Sequence, residues 1–600
     1  MFNFILKKEL WLSVIILVAV GGFVYSFNLN NGLFWDDDDW IINNNFVHSI
    51  SWDNVKFWFS NNVLAGVGLQ SNYYRPFLFF TFALNWIISG AEPFIYHLTS
   101  NVIHIFNGIL VFWLIRLAFK RNALAFFVSL FFLVHPLQTE AVTYISGRGD
   151  LLVAMFMLLS LLAFYKSEQL TTFDTVNSKN KKLTVCYLLF AILFLILGLL
   201  SRETAIIFPV LALVFYIAVL SKERFLKSVK IGLIKTWPYF AVVIAYGILR
   251  LTVLNFQDTL NFYTESNIYS ENLYVRLFTF LPILWEYLKL LVVPVGLHME
   301  RSATIYTSFF QWPVWPVALI VLCIMYHVLW LYRNEKILNT KYLILNTKFR
   351  VWFLGISWFF IALAPASGIT PINALIYEHW LYLPMVGFWL IVSFYLVKLL
   401  DHFKNGKSAV VVGLIIYVLF LSYQSIQRNI LWGKPVEFYK DILQYEPDSV
   451  RINNNLGNLY FNLGDKEQAE LYYRKAAESG DAFAQPHFNI GSILQLRGDI
   501  DGAIAEFKKA IEIDPNFYHP YQNLAVIYAQ QGDFVQAMAN IEKLKLLLSN
   551  NPRVYYNSAL VYIAINNREK ALADLKEGLK YSSVDPETGR LIEELIKELQ

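Results

Sequence analysis

Long apolar runs fill most of the first 425 residues, with polar and charged residues between them. A helix needs roughly 20 predominantly apolar residues to cross the hydrocarbon core of a bilayer. We expect eleven crossings, at residues 10–27, 94–119, 122–136, 148–166, 183–200, 204–220, 236–254, 313–332, 351–366, 380–399 and 409–424. The pattern predicts a polytopic helical membrane domain over residues 1–425, and hence an all-α fold.

The charges between the runs predict how the helices thread the membrane. Cytoplasmic loops carry an excess of Lys and Arg. With eleven crossings, the basic clusters at 7–8, 116–121, 166–182, 222–235, 333–350 and 404–407 all fall on one side. Two further apolar runs, 76–89 and 273–294, would put the middle clusters on the other side if they crossed, so we expect interfacial or re-entrant helices there. The N-terminus is then cytoplasmic, and everything after residue 425 is outside.

The last 150 residues follow a different pattern, with a period of 34. Leu456-Gly457 recurs as Ile490-Gly491, Leu524-Ala525 and Ser558-Ala559, and a second-helix alanine recurs as Ala469, Ala503, Ala537 and Ala571. Gly464-Asp465 recurs as Gly498-Asp499 and Gly532-Asp533, with Asn566-Asn567 in the fourth unit. Such a period is the signature of a helical repeat array.

This array resembles the tetratricopeptide repeat. We expect a linker and half-repeat at 426–449, four repeats at 450–583 and a capping helix at 584–600. Solenoids of this kind offer an extended concave surface, so the array predicts a protein or peptide partner. A passive spacer is the alternative. The array hosts no chemistry of its own, and catalysis is expected in the membrane domain.

Composition narrows the class of protein. Hydrophobic residues make up 56% of the chain and charged residues 16%, against about 25% charged in soluble proteins. Of the 94 charged residues, 36 lie in 451–600. These values exclude a purely soluble enzyme and a disordered protein, and two cysteines exclude a disulfide scaffold. A net charge of +4 does not indicate a nucleic-acid partner.

Ionisable side chains at the predicted outer helix ends are the candidate chemistry. A charge at the centre of a membrane helix costs about 2.5–3.5 kcal/mol on insertion scales, so the retained charges call for a functional explanation. The candidates are Asp36, Asp37, Asp38, Asp39, Arg75, His135, Glu140, Arg148, Asp150, Arg202, Glu203, Arg250, Arg301, Glu378, His379 and Tyr382. We expect them to converge on one outward-facing site.

The run Asp36–Asp39 directly follows the first crossing, between Trp35 and Trp40. Adjacent carboxylates raise one another's pKa, which favours a general base near neutral pH. Interfacial tryptophans place the run at the bilayer surface, where a lipid-linked substrate presents its headgroup. Two alternatives are a divalent-cation site, since such ions prefer several oxygen ligands, and a solvated acidic turn.

Arginines dominate the outer positive charges. The planar guanidinium suits bidentate phosphate binding, so Arg148, Arg202, Arg250 and Arg301 are candidate phosphate ligands. The alternative for each is an ion pair with a nearby acid, such as Arg202 with Glu203. His135 and His379 are candidate proton carriers, with capping or structural hydrogen bonding as the alternative.

The motifs resemble a known family. They are the aromatic-Asp-Asp after the first crossing, His135-Pro136 through Glu140-Ala141-Val142, Ile145-Ser146-Gly147-Arg148, Ser201-Arg202-Glu203, Glu378 to Pro384, and the C-terminal repeats. In this order they are similar to the transmembrane and tetratricopeptide repeat-containing O-mannosyltransferases of the C-type glycosyltransferase superfamily. The resemblance implies transfer of a sugar, mannose or a similar hexose, from a polyprenyl-phosphate carrier to an acceptor hydroxyl. It also implies inversion on the extracytoplasmic face, with an aspartate of the first outer loop as base, here Asp36 or Asp37.

The expected protein is therefore an integral membrane glycosyltransferase of a bacterial inner or plasma membrane or of the endoplasmic reticulum. Arg202, Arg148 or Arg301 would neutralise the departing phosphate, and Glu140 or His135 would orient or assist. No cofactor is firmly implied. The alternatives are a non-catalytic scaffold that recruits partners through its repeats, a transporter or flippase, and an enzyme whose acceptor is a lipid or glycan.

Overall fold

The structure is a computed structural model that describes residues 2–69, 71–173, 178–256, 267–335, 347–372, 374–402, 407–480, 483–582 and 585–600. Helices are the only regular secondary structure in these ranges. The chain divides into two compact units, one up to Pro435 and one from Val436. The all-α fold expected from the sequence is confirmed.

The first unit contains sixteen α-helices within the described ranges. They are α1 (Phe2–Tyr25), α2 (Trp52–Ser60), α3 (Pro76–Ser89), α4 (Pro93–Phe119), α5 (Asn122–Val134), α6 (Thr139–Thr143), α7 (Arg148–Phe173), α8 (Ser178–Leu199), α9 (Phe208–Phe215), α10 (Phe225–Leu251), α11 (Ile268–Glu271), α12 (Leu273–Val292), α13 (Val314–Glu335), α14 (Thr347–Leu363), α15 (Met385–His402) and α16 (Lys407–Trp432).

Ten described helices are long and apolar enough to cross a membrane, and an eleventh span results if the bent pair Asn122–Val134 and Pro136–Thr143 is counted as one. The pair bends by 57°. Pro136 causes the break, because the ring disfavours helical backbone at the residue before it, and His135 is extended with ψ 128°. The expected polytopic helical membrane domain is confirmed.

The two ambiguous runs both form helices. Helix α3 has 14 residues, or about 21 Å at 1.5 Å per residue, which is shorter than the roughly 30 Å hydrocarbon core. Helix α12 has 20 residues but is not among the ten apolar spans. Their interfacial placement stays a prediction.

A buried seam of polar side chains joins helices α1, α4, α6 and α16. Asn28 exchanges hydrogen bonds with Asn101 at 2.8 and 3.1 Å and donates to the Thr143 hydroxyl at 3.0 Å. That hydroxyl in turn donates to Asn429 Oδ1 at 2.6 Å. Side-chain hydrogen bonds between helices stabilise their association where water is absent, so the seam holds α6 and the loop after it in place.

The second unit is a helical repeat. It comprises α17 (Pro435–Tyr445), α18 (Val450–Asn462), α19 (Lys466–Ser479), α20 (Ala484–Arg497), α21 (Ile500–Ile513), α22 (Tyr518–Gln530), α23 (Phe534–Leu547), α24 (Pro552–Ala564), α25 (Arg568–Leu579) and α26 (Pro586–Leu599). Helices α18 to α25 form four antiparallel pairs, and the expected solenoid is confirmed.

The recurring Gly-Asp dipeptide explains the turn within each pair. Gly464, Gly498 and Gly532 have φ of 84°, 85° and 77°, a left-handed conformation that glycine adopts without steric cost. The aspartate that follows each glycine caps the next helix by accepting a backbone N–H three residues on. In the fourth repeat Asn566 takes the turn with φ 58°.

Candidate active site

The four consecutive aspartates have different environments. Asp37 is buried, and its Oδ1 accepts hydrogen bonds from the Ser146 backbone N–H at 2.8 Å and hydroxyl at 2.6 Å. Burial raises the pKa of Asp37 to about 7, although the Ser146 hydrogen bonds oppose the shift. Asp36 and Asp39 are half-buried and Asp38 is exposed. The four carboxylates therefore differ in burial and in hydrogen bonding.

The backbone around the run is unusual. Trp35 has φ 66°, which is rare for a bulky residue and marks a position held by its surroundings. A single π-helical turn follows at Asp38–Ile42, and its Trp40 and Ile41 are buried. These two side chains anchor the loop that follows α1, and the carboxylates precede or flank them.

The divalent-cation alternative does not fit these contacts. Asp37 is engaged by Ser146, whereas Asp38 is exposed, so the carboxylates do not surround a common point. Within the described ranges, no group of three Asp, Glu, His or Cys side chains is placed to hold a metal ion.

Side chains from several distant parts of the chain contact the segment from Glu140 to Asp150, which we call the central segment. It contains α6, a short turn at Ile145–Gly147 and the start of α7. Gly147 allows the segment to fold back on itself, because a Cβ there would lie 3.1 Å from the Glu140 carbonyl oxygen. Ser146 binds Asp37 in this turn, about one helical turn before Asp150.

A continuous series of polar contacts begins at Glu140. Glu140 is buried, and its two carboxylate oxygens accept the His379 backbone N–H at 3.0 Å and Nδ1–H at 2.7 Å. His379 Nε2 lies 3.3 Å from Arg202 Nη2. Arg202 Nη1 forms an ion pair with Asp150. Four charged or titratable groups from three parts of the chain thus form a series in which each contacts the next.

Glu203 makes a different ion pair from the one suggested by its neighbour in sequence. Arg75 Nε lies 3.3 Å from Glu203 Oε2, and the Tyr74 backbone N–H donates to Glu203 Oε1 at 2.8 Å. The Arg75 guanidinium also lies 4.4 Å from the Tyr73 ring centroid. Arg202 therefore pairs with Asp150, and Arg75 with Glu203.

Glu378 is the centre of a second cluster of charges. Its Oε1 accepts hydrogen bonds from Arg301 Nη2 and the His298 backbone N–H, both at 2.8 Å. Its Oε2 lies 3.9 Å from Arg428 Nη2. Arg301 Nε is buried and donates to no described residue. The cluster carries two cations and one carboxylate and adjoins the first cluster through the consecutive residues Glu378 and His379.

Two of the predicted phosphate ligands, Arg148 and Arg250, make structural contacts. Arg148 is fully buried and donates to Ser100, Thr81, Asn85 and the Tyr96 carbonyl at 2.7–3.2 Å. Arg250 donates to the carbonyls of Leu254 and Asn72. Their guanidinium groups are turned into the protein, so neither is placed to meet an incoming phosphate.

His135 and Tyr382 are buried as well. His135 Nε2 lies 3.2 Å from the Leu291 carbonyl, and its Nδ1 accepts the Leu137 backbone N–H. Both nitrogens therefore bind backbone, which matches the capping alternative and not a proton carrier. The Tyr382 hydroxyl contacts His104 Nδ1 at 2.9 Å and Asn107 Nδ2 at 3.1 Å, so Tyr382 packs beneath the site.

Sequence reasoning missed Arg428 and the partnership of Ser146 with Asp37. Arg428 lies just beyond the predicted eleventh crossing, near the C-terminal end of α16. It meets the same criterion as the other candidate arginines, a charge at the end of a predicted membrane helix. Its contact with Glu378 joins residues 50 apart in sequence. No pattern in one sequence carries that pairing.

Comparison with known proteins gives two results. Models described as tetratricopeptide repeats match residues 450–479, 491–532 and 552–585. Solved structures with likeness to this chain include MamA (22% identity, 25% of this chain and 81% of that one, TM-score 0.23) and YrrB, titled a tetratricopeptide repeat protein with an unusual peptide-binding site (17% identity, 33% and 97%, TM-score 0.24).

Curated relatives match most of the chain. Protein O-mannosyl-transferase F38B6.6 of Caenorhabditis elegans is 25% identical, covering 79% of this chain and 63% of the relative. The human protein O-mannosyl-transferases TMTC4 and TMTC1 are 25% and 23% identical, covering 77% and 74% of this chain. The chain spans 63%, 66% and 52% of the lengths of these three relatives. The resemblance is thereby confirmed: over most of its length the chain is similar to proteins named protein O-mannosyl-transferase, and it carries tetratricopeptide repeats.

Proposed function

We propose that this protein is an integral membrane glycosyltransferase. It transfers mannose or a similar hexose from a polyprenyl-phosphate carrier to an acceptor hydroxyl on the extracytoplasmic face. The observation that carries the proposal is the convergence of Asp37, Arg202 and His379 from separate outer segments on the central segment, beside Glu140 and Asp150. The names of the relatives support the same class of reaction.

Asp36 is the residue we assign as base. Asp37 is enclosed and its Oδ1 is occupied by Ser146, whereas the adjacent Asp36 is half-buried and accessible to an acceptor. The contact between Asp37 and Ser146 secures the outer loop against the central segment. Asp37 is then a positioning residue that holds Asp36 at the site.

Arg202 and Arg301 are the arginines we assign to the phosphate. The Arg202 side chain is 12% exposed and the Arg301 side chain 13% exposed, and the buried Arg301 Nε has no described partner. A buried donor without an acceptor is costly, and a phosphate oxygen would satisfy it. Arg428, which faces the same carboxylate, adds a second cation to this end of the site.

The reaction follows from this placement. Asp36 accepts the proton of the acceptor hydroxyl while its oxygen attacks the anomeric carbon. The bond from that carbon to the phosphate oxygen breaks, and the polyprenyl phosphate leaves with the electron pair, stabilised by Arg202 and Arg301. Attack opposite the leaving group inverts the anomeric configuration. Phosphate is a good leaving group, so no strong general acid is required.

The repeats suggest that the acceptor, or a partner that delivers it, is a protein. Arrays of this kind use their extended concave surfaces for binding. We further propose that the protein resides in a bacterial inner or plasma membrane or in the endoplasmic reticulum membrane, with the N-terminus cytoplasmic and the repeats outside.

The test is transfer of labelled sugar from polyprenyl-phosphate mannose to a hydroxyl-bearing peptide, by the full chain in membranes. Asp36→Asn is expected to lower the rate at least 100-fold, and Asp37→Asn to lower it less. Asp53→Asn, at an exposed position in α2, is the matched control and retains the wild-type rate. Full activity in both Asp36→Asn and Asp37→Asn would overturn the proposed mechanism.

A further inference from the structure

Arg202 is held from two sides by residues that are far apart in sequence. Asp150 pairs with Nη1, and His379 Nε2 lies 3.3 Å from Nη2. A guanidinium has five N–H donors, and the other three make no hydrogen bond to a described residue. The side chains of Arg202 and His379 are 12% and 15% exposed, so neither is fully enclosed.

Arg148 gives an internal comparison. Its guanidinium has four hydrogen bonds to surrounding groups and no exposure. Burying every donor suits a residue that holds helices together. Arg202 has hydrogen bonds from only two donors to described residues, which suits a residue whose other donors bind a ligand.

The contacts of His379 determine its tautomer. Nδ1 lies 2.7 Å from Glu140 Oε1, and a carboxylate only accepts, so Nδ1 carries the hydrogen. Nε2 then has a lone pair and accepts from Arg202 Nη2. A doubly protonated ring would instead present an N–H to the N–H of Arg202, and the contact would become repulsive. The neutral Nδ1–H form makes both hydrogen bonds at once.

We propose that His379 is a positioning residue that sets the direction of the Arg202 guanidinium, with Glu140 fixing the ring, so that the three open N–H donors of Arg202 face the anionic group of the sugar donor. This inference rests on the proposed function for the identity of that group. Glu140, buried in α6, supports His379, and His379 transmits that support to Arg202. The acid therefore acts through the arginine and does not touch the sugar.

Two substitutions each remove one of the two hydrogen bonds of the His379 side chain and keep the other. The amide of Gln reaches about as far as Nε2, so His379→Gln keeps an acceptor for Arg202 and loses the bond to Glu140. The amide of Asn reaches about as far as Nδ1, so His379→Asn keeps a donor for Glu140 and loses the contact with Arg202. Both are polar, uncharged and smaller than His, which makes them a matched pair.

The experiment measures transfer by the full chain in membranes with polyprenyl-phosphate mannose as donor, separating kcat from the KM of each substrate. His379→Asn is expected to raise the donor KM about tenfold, while His379→Gln stays within about threefold of wild type. The acceptor KM is unchanged in both. A thermal melt accompanies each variant, because a merely structural role would lower stability in both alike.

The outcomes distinguish the two proposals. No transfer by the wild-type chain would overturn the proposed glycosyltransferase function. Transfer by the wild type, with equal donor KM values in the Gln and Asn variants, would overturn the positioning role of His379 and leave the function standing.

Discussion

At the scale of single residues, the chain distinguishes between ionisable groups of the same type by how much of each it encloses. Arg148 and Arg202 both lie at helix ends, yet one is fully buried and the other 12% exposed in its side chain. The same contrast separates Asp37 from Asp36. Residue type predicted the candidates, and burial separates the enclosed ones from those that stay accessible.

The first prediction concerns Asp37. Its pKa is raised from an ordinary 3.8 to about 7 by burial, so between these pH values the folded chain holds a proton that the unfolded chain has lost. The free energy of unfolding therefore decreases as pH rises across this window. Asp37→Asn removes the group, and its thermal stability is expected to fall less than that of wild type between pH 5 and pH 8.

Melting curves of the purified chain in detergent at both pH values provide the measurement. Asp53→Asn, at an exposed position, is the control and should follow the wild type. Parallel pH dependence in Asp37→Asn and wild type would show that Asp37 is ionised throughout and would contradict the raised pKa.

The second prediction compares the two arginines. Arg148→Gln leaves several buried hydrogen-bonding groups without a partner and is expected to lower the free energy of unfolding by about 3 kcal/mol. Arg202→Gln removes the cation that pairs with Asp150 at a less enclosed position, and it is expected to reduce sugar transfer strongly while lowering the melting temperature less than Arg148→Gln does. Melting curves and transfer rates of both variants provide the measurement. If Arg148→Gln instead lost transfer with little change in stability, Arg148 would again be a candidate phosphate ligand.

At the scale of elements, prolines and glycines account for the local geometry that periodicity alone does not predict. The sequence predicts a crossing at 122–136, but Pro136 ends α5 and starts the turn that leads to Glu140. A crossing is likewise predicted from residue 380, while α15 begins at Met385, after Pro384. Glu378–Leu381, three residues upstream of α15, form a separate 3₁₀ turn that carries His379. Breaks of this kind place functional side chains at helix ends.

The third prediction tests the repeat turns. Gly498 has φ 85°, and a side chain in the left-handed region costs about 1 kcal/mol. Gly498→Ala is therefore expected to destabilise the second repeat by about that amount. Gly498→Asn should cost less, since asparagine tolerates this conformation and Asn566 adopts it in the fourth repeat. Hydrogen exchange of α20 and α21 in the full chain provides the measurement, and equal effects of the two variants would contradict the conformational explanation.

At the scale of the whole molecule, one-dimensional patterns predicted the architecture and left the site incomplete. Apolar length and a 34-residue period are local properties, so the helical membrane unit and the solenoid are evident from them. The pairing of Glu140 with His379 joins residues 239 apart, and that of Glu378 with Arg428 joins the last crossing to the site. A single sequence shows which residues are unusual in a membrane, but it does not show which of them are in contact.

The last prediction concerns the side of the membrane on which the site lies. The basic clusters predict that the loop containing Asp36 is outside and that the start of α16 is cytoplasmic. In a background with Cys186 and Cys323 replaced by Ser, a membrane-impermeant maleimide is expected to label Asn45→Cys in intact cells or sealed vesicles of cellular orientation. Ser408→Cys, equally exposed in the structure, is expected to react only after the membrane is permeabilised.

The two positions make the test symmetrical, because each is the control for the accessibility of the other. Lys475→Cys, on an exposed face of α19, extends the test to the repeats and is expected to react like Asn45→Cys. Labelling of Ser408→Cys alone would reverse the orientation. The charged cluster around the central segment would then face cytoplasmic nucleotide sugars, and a carrier-linked donor delivered across the membrane would no longer be needed to explain the site.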